Sequence, residues 1–476
     1  MSRLKQLGKD SIIYGVGGIL AKSVAFLLLP VFTHIFSPVE YGIIEMLTVI
    51  SSFLAAIMVM GMDSAQSMYF FKVKKDGKKA QAIIITSILQ WRLIWGILII
   101  FIASLTSPLV NFWFFKGQIS FKYFLIAFIG VLFAQIMSQS AEVLRLIYRP
   151  WSYIAITLSQ SILSAVLMLI LVILFNKGII GFFLGAAISS VVVSIIGWFS
   201  IRDYWQFDRI YWEQWPKLIS FGAPLVPAGL VIYLMSTADR WFVQHYHGTE
   251  ALGIFAVGAK FSLLLTLVLE AFRKVWWPIA MDAMHNKDGP ETFRMIARLY
   301  MGLATSGVII ITALSPWLVK LMTAPEFHDA WLIVGILAWQ SVFYCFYMIA
   351  SAGIYKTEKM YLNLYLMSGA TLIGLLLNWL LVPTYGSIGA AATTAVTYFL
   401  WVIASLIVSE SLWRVNFSWF ILSMQIILGL LFVLLFFNID YKSNKLLITI
   451  IAFLFASIQL ITTAPLSKIK RFIKLF

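Results

Sequence analysis

The sequence predicts an all-α polytopic membrane protein of about 14 transmembrane helices, each near the roughly 20 apolar residues that cross a bilayer core. Composition is the first reason. Hydrophobic residues make up 61% and charged residues 12% of the 476 residues, against roughly 45–50% and 25% in soluble domains. Patterning is the second. From Ser11 to Pro465 apolar stretches alternate with short polar connections, and inside lipid such a stretch must satisfy its own backbone, which means helix. Charge placement is the third. Most Lys and Arg fall in alternate connections, so the net charge of +15 records topology rather than a nucleic-acid partner.

The fourteen spans are expected at 11–33, 41–61, 81–105, 121–144, 152–175, 179–201, 218–244, 251–275, 292–314, 330–352, 361–382, 386–409, 418–438 and 445–464. The first follows Arg3, Lys5 and Lys9. It resembles a signal peptide, but the apolar run continues past Lys22 to Phe32 with no cleavage site, so a retained helix is expected. After the second span comes the densest basic cluster, Lys72, Lys74, Lys75, Lys78 and Lys79. The sixth and seventh flank a segment from Arg202 to Lys217 rich in Trp and Tyr, suited to the headgroup level. The seventh carries Pro224, Pro227 and Gly229, which leave carbonyls unpaired and bend a helix. The tail interleaves Lys468, Lys470, Arg471 and Lys474 with Ile469, Phe472 and Ile473, as a short helix on anionic lipid would.

With the N-terminus inside, the cytoplasmic side holds about 25 of the 35 Lys and Arg and the opposite side about 6. Both termini are therefore expected in the cytoplasm. The connections are too short for a soluble catalytic or ATP-binding domain. Phe36-Ser-Pro-Val-Glu-Tyr-Gly-Ile43 and His245-Tyr-His-Gly-Thr-Glu-Ala-Leu-Gly-Ile254 each place a Glu-containing turn before a Gly-Ile. Their offset equals six spans, so the chain reads as a parallel repeat with the substrate path between two bundles. Spans thirteen and fourteen lie outside the two halves.

Charges inside the spans are the functional signal, because a central cation costs at least about 2.5–3.5 kcal/mol and must face protein or a water-filled cavity. Lys22, Arg92 and Lys260 each lie about 13–16 Å from the nearer helix end at ~1.5 Å per residue. Snorkelling hardly reaches the interface from there. Glu45, Asp63, Glu142, Asp239 and Glu270 fall nearer span ends, so the deep cations are expected to lack matched anions and to meet a negative substrate. The alternative is local neutralisation, by proton loss or by carbonyls of a bent helix. Arg240, beside Asp239, is a candidate for an outer gate or anion contact, or for a plain interfacial ion pair. Asp63 with Gln66, and Glu270 with Arg273 and Lys274, are inner-gate or boundary candidates.

No enzyme is expected. His34, His245, His247, His285 and His328 all fall in or beside connections, Cys345 is the only cysteine, and neither supports a metal site. Gly15-Val-Gly-Gly18 has no βαβ context and suits close helix packing. No nucleophile is paired with a base inside a span.

The opening Lys9-Asp-Ser-Ile-Ile-Tyr-Gly-Val-Gly-Gly18, the turn Phe36-Ser-Pro-Val-Glu-Tyr-Gly42, Ser220-Phe-Gly-Ala-Pro-Leu-Val-Pro227 with Asp239-Arg240, and Gly253-Ile-Phe-Ala-Val-Gly-Ala-Lys260 resemble Wzx-type polysaccharide flippases of the MATE-like MOP exporter superfamily. The resemblance spans essentially the whole chain. It implies two six-helix lobes around a central cavity plus two C-terminal helices: an N-terminal lobe at 1–201, a cytoplasmic interfacial linker at 202–217, a C-terminal lobe at 218–410, and the last two spans with the basic tail at 411–476. It further implies export of an undecaprenyl-pyrophosphate-linked oligosaccharide, such as an O-antigen or capsule unit, across a bacterial inner membrane by alternating access. Lys22, Arg92, Lys260 and Arg240 would hold pyrophosphate or sugar acids by charge-assisted hydrogen bonds. Trp91 or Trp379 would stack on sugars or face lipid. Anionic lipids, a glycan polymerase and a chain-length regulator are the implied partners. No cofactor is implied, and a coupling ion, H+ or Na+, is left open because no deep carboxylate stands out. A small-molecule, drug or lipid II exporter on the same fold is the alternative.

Alanine at Lys22 or Lys260 should abolish surface glycan at undiminished protein level; unchanged glycan in both variants would sink the cation argument.

Overall fold

The computed structural model describes residues 17, 18, 20, 21, 23–438 and 445–463. Lys9, Lys22, Gly15 and the basic tail from Lys468 therefore lie outside the described residues. Among those described there is no strand, and ten helical segments are long and apolar enough to cross a membrane. Two of these segments are double: Trp212–Ala283 and Tyr361–Leu412 leave helical geometry at Gly248 and Gly386. The first and fourteenth expected spans fall partly outside the described residues.

The chain divides into two compact units, Met1–Thr237 and Ala238–Phe476. In the first, α1 (Leu29–Ile35) leads into α2 (Pro38–Val59) through a capping box. Ser37 N–H donates to Glu40 Oε2 at 3.0 Å and Glu40 N–H to Ser37 Oγ at 3.3 Å. Reciprocal capping satisfies two helix-start donors and is worth about 1 kcal/mol. The work of Glu40 is thus local. α2 stops at Met60 and Gly61, both left-handed (φ 45° and 70°), and α3 (Met62–Lys72) starts afresh.

After Gly77, α4 (Lys78–Phe115) runs for 38 residues, ten beyond the expected end of its span. Pro108 lies within it. Proline frees the carbonyl four residues back, and here the Ser107 hydroxyl takes up that Ser104 carbonyl at 2.8 Å. A neighbouring hydroxyl lets the helix continue. α5 (Phe121–Leu146), α6 (Pro150–Leu169) and α7 (Gly178–Ser200) follow, α6 widening into a π turn at Ile170–Leu174. The core of this bundle packs Ile85 and Leu89 of α4, Ile136 and Leu144 of α5, and Val193 and Trp198 of α7.

The segment 202–214 lies hydrogen-bonded along α4. Gln90 brackets it, donating to Arg209 O at 2.7 Å and accepting from Tyr211 N–H at 3.0 Å. The Tyr211 hydroxyl donates to Asp208. Burial and then that bond push Tyr211 up to about 12, while the hydroxyl lowers Asp208 below the usual carboxylate range. Then α8 (Trp215–Gly222) passes through a 3-10 turn, Ala223–Leu225, into α9 (Val226–Ala283). Pro224 lies in that turn and Pro227 in the first turn of α9, where the sequence expects the bend.

The helix break at Gly61 meets the start of this 3-10 turn. A Cβ on Gly61 would lie 2.2 Å from Gly222 O, and one on Gly222 would lie 2.6 Å from Met60 O. Backbone meets backbone, so only glycine fits on either side.

In the second unit α10 (Gly289–Met322), α11 (Trp331–Ala350), the short α12 (Ala352–Lys356) and α13 (Tyr361–Leu412) follow the latter part of α9. His247 Nε2 lies 2.7 Å from Val382 O, joining the turn near Gly248 to the one near Gly386. α14 (Trp419–Asn438) seats Phe432 and Phe436 against Ile309 of α10, and α15 is Lys445–Thr463.

Gly61→Ala should cost both left-handed strain and a backbone clash, about 3 kcal/mol or more by the strain of such a position plus overpacking. Gly117→Ala, at a similar positive φ (76°) but facing open space, should cost only the strain. Comparing the two melting temperatures in detergent checks this; equal losses would mean the crossing is not tight.

Candidate functional site

In the first unit the polar candidates gather where α3, α4 and α5 meet. The buried face of α4 carries Ile85, Ile88, Leu89, Arg92 and Gly96, spaced as one helical stripe, so Arg92 points inward by the same periodicity that buries its apolar neighbours. Its side chain is 2% exposed. The guanidinium donates to Asp63 of α3 through Nη2, and through Nη1 to Gln135 O of α5 at 2.9 Å. Arg92 therefore ties three helices together.

This corrects the expectation that Arg92 lacks a matched anion. Asp63 was placed at a span end because the apolar run stops near Gly61. The helix instead restarts, and the apolar segment extends over Pro38–Lys72, 35 residues. Asp63 then stands in the first turn of α3, where the helix N-terminus also favours negative charge. The open member of the pair is the carboxylate: the Asp63 side chain is 44% exposed.

One turn further, Gln66 is 0% exposed, and neither end of its carboxamide has a partner among the described residues. Arg92 Nε is likewise unpartnered. Such buried groups each cost about 1–3 kcal/mol. Ser67 donates to Glu142 Oε1 at 3.3 Å, and Arg145 pairs with the same oxygen at 2.5 Å. Gln139 donates to Ile85 O at 3.1 Å. The sequence reading did not single out Gln135 or Gln139. Their spacing of four on α5 was the available signal.

In the second unit Asp239 is buried and saturated. It accepts from Arg240 N–H at 2.8 Å, from Arg240 Nη1 at 3.0 Å and from Thr394 Oγ1 of α13 at 2.9 Å. Arg240 also lies over the Phe255 ring, 5.7 Å from its centroid. The Asp239–Arg240 pair is thus a buried link from α9 to α13, and Thr394 is a member that sequence alone did not offer. Nearby on α13, Thr393 donates to Asn378 Oδ1 at 2.9 Å. Lys260 is half-buried on α9 and engaged. Arg273 sits over the Tyr344 ring, 5.0 Å from its centroid, and Glu270 on the same helix is also engaged. Lys22 lies outside the described residues. Of the four expected substrate cations, the structure pairs Arg92 and Arg240 with carboxylates.

The chain matches the family described as "Polysaccharide biosynthesis protein" over residues 7–284. It is 22% identical over 349 residues to a protein of the Lsg locus of Haemophilus influenzae, covering 72% of this chain and 80% of that one. Among solved structures it is similar to the lipid II flippase MurJ in an inward closed conformation, with TM-score 0.74 and 16% identity over 94% of this chain and 98% of that one. It is also similar to an outward-facing multidrug resistance MATE family transporter of the MOP superfamily, with TM-score 0.61 and 16% identity over 86% and 96% of the two chains. These structures share the fold.

Removing Asp63 should leave the buried Arg92 uncompensated. Asp63→Ala is expected to cost about 1–3 kcal/mol, discounted from a fully buried pair because the carboxylate is half open. Adding Arg92→Leu should recover part of the loss. A double-mutant cycle of melting temperatures tests the pair, and strictly additive losses would show that the two side chains act independently.

Proposed function

The chain belongs to the polysaccharide biosynthesis protein family, and from that premise we propose that it carries an undecaprenyl-pyrophosphate-linked oligosaccharide from the cytoplasmic to the periplasmic leaflet of a bacterial inner membrane. The observation that carries the reading is this family joined to a bundle of membrane-length helices sharing its fold with a lipid II flippase and a drug transporter. A protein so built serves glycan assembly by moving the lipid-linked unit. Alternating exposure of one binding site to the two membrane faces performs the transfer, with both chain termini in the cytoplasm.

In this reading Lys22 and Lys260 hold the pyrophosphate. Arg92 and Arg240, each already held by a carboxylate, set the positions of the helices around it. Asp239–Arg240 serves the outer gate, and Glu270 with Arg273 the inner one. Anionic lipids steady the basic cytoplasmic face, and a glycan polymerase with its chain-length regulator takes the product. A second reading, export of lipid II or a small molecule, is favoured by the same two structural likenesses.

Deleting the gene discriminates. Complete lipid-linked units should accumulate on the cytoplasmic face while surface glycan is lost. A normal distribution of those units, in a strain with no second flippase, would favour the small-molecule exporter.

A further inference from the structure

Four indoles from two distant stretches of the chain, Trp91 with Trp95 and Trp212 with Trp215, form one continuous row in the first unit. Trp212 meets Trp215 at a centroid distance of 4.4 Å, Trp215 meets Trp91 at 5.3 Å, and Trp91 stacks on Trp95 at 5.6 Å with rings 17° from parallel. The row begins outside the bundle, where Trp212 is 55% exposed. It passes through Trp215, 8% exposed, and ends at the half-buried Trp91 and Trp95.

The far end of the row reaches the helix break. Trp95 Nε1 donates to Ile57 O at 3.2 Å, in the last turn of α2. Asp63 opens α3 just beyond that break and is held by Arg92, the residue after Trp91. Trp215 Nε1 donates to Ser87 O at 3.1 Å, whereas the indole N–H of Trp91 has no acceptor among the described residues. The row is thus fixed by backbone bonds at two rings, and the residue after Trp91 holds the half-open Asp63 carboxylate.

Rings that serve only as interfacial anchors lie singly at the headgroup level, with the polar edge toward water. These four instead turn toward one another, with Trp215 buried and Trp91 and Trp95 half-buried. Their chemistry suits a pyranose. The C–H faces of a sugar ring pack on aromatic faces, which are large, rigid and apolar. The hydroxyls around its edge both donate and accept, so they can donate to an ionised carboxylate and accept from an indole N–H. An anionic lipid headgroup would gain nothing from Asp63.

We propose that Trp212, Trp215, Trp91 and Trp95, with Asp63 at the inner end, form a track for neutral sugar residues of the transported glycan, separate from the cations that take the pyrophosphate. This rests on the flippase reading and adds to it a place where the sugars are held. Arg92 positions the carboxylate rather than binding phosphate.

The test is binding to the full-length protein in nanodiscs, read by native mass spectrometry with two probes. One is undecaprenyl diphosphate. The other is the lipid-linked oligosaccharide extracted from cells lacking this protein. Wild type should prefer the glycosylated probe. Trp95→Leu, Trp212→Leu and Asp63→Asn should each erode that preference by about threefold to tenfold, the worth of one aromatic contact or hydrogen bond, with undecaprenyl diphosphate bound as before. Trp212→Leu alters an exposed ring and keeps the test sound if the buried variants fold poorly. Equal loss of both probes, or an unchanged preference in all three variants, would overturn the track. A wild type that binds both probes equally would also overturn it while leaving the flippase reading intact. A wild type that binds neither would overturn both.

Discussion

A backbone-to-backbone crossing governs the first unit. At Met60 and Gly61 the second membrane helix breaks, and Gly222, where another helix tightens into a 3-10 turn, packs against it with no room for a Cβ between them. Helices approach this closely only where small residues remove the side chains. The break leaves carbonyls and amides without helical partners, so a neighbour supplies one: Trp95 donates to Ile57 O. A restarted helix also has a fresh N-terminus, which places a carboxylate, Asp63, where an unbroken helix would have no use for one.

That carboxylate changes the electrostatics of the unit. A guanidinium as buried as Arg92 needs a negative partner or a set of carbonyls. It receives both, from Asp63 and from the Gln135 carbonyl. Because Arg92 is nearly buried and Asp63 half open, the face of the pair that other molecules can meet is acidic. The second unit solves the same problem in reverse. There Asp239 is the buried member, saturated by Arg240 and Thr394. In both units charge is matched within a single bundle. Arg92 and Arg240 are each tied to a carboxylate of their own unit and so fix helices.

Much of this was legible beforehand. The apolar periodicity gave the helices, because lipid permits little else, and Pro224 falls in a 3-10 turn where the chain passes from one helix to the next. The turn at Ser37–Glu40 was visible as a motif, although its physical meaning is a capping box. What failed was depth measured along the chain. Counting residues from an expected span end assumes an unbroken rod, and Asp63 sits past a break. The length of α4 was missed for a related reason. Pro108 ordinarily ends a helix, and only the Ser107 hydroxyl shows why it does not.

The sequence by itself determined the class of this protein, a polytopic helical membrane protein, because hydrophobic length is a local property that a bilayer reads segment by segment. Only the tertiary structure decided which charges are matched and which aromatics touch. Asp63 and Arg92 are 29 positions apart, Asp239 and Thr394 are 155 apart, and Trp91 meets Trp215 from across the chain. Such pairings are made by helices packing sideways, and helix packing depends on where glycines let backbones meet, which no single segment encodes.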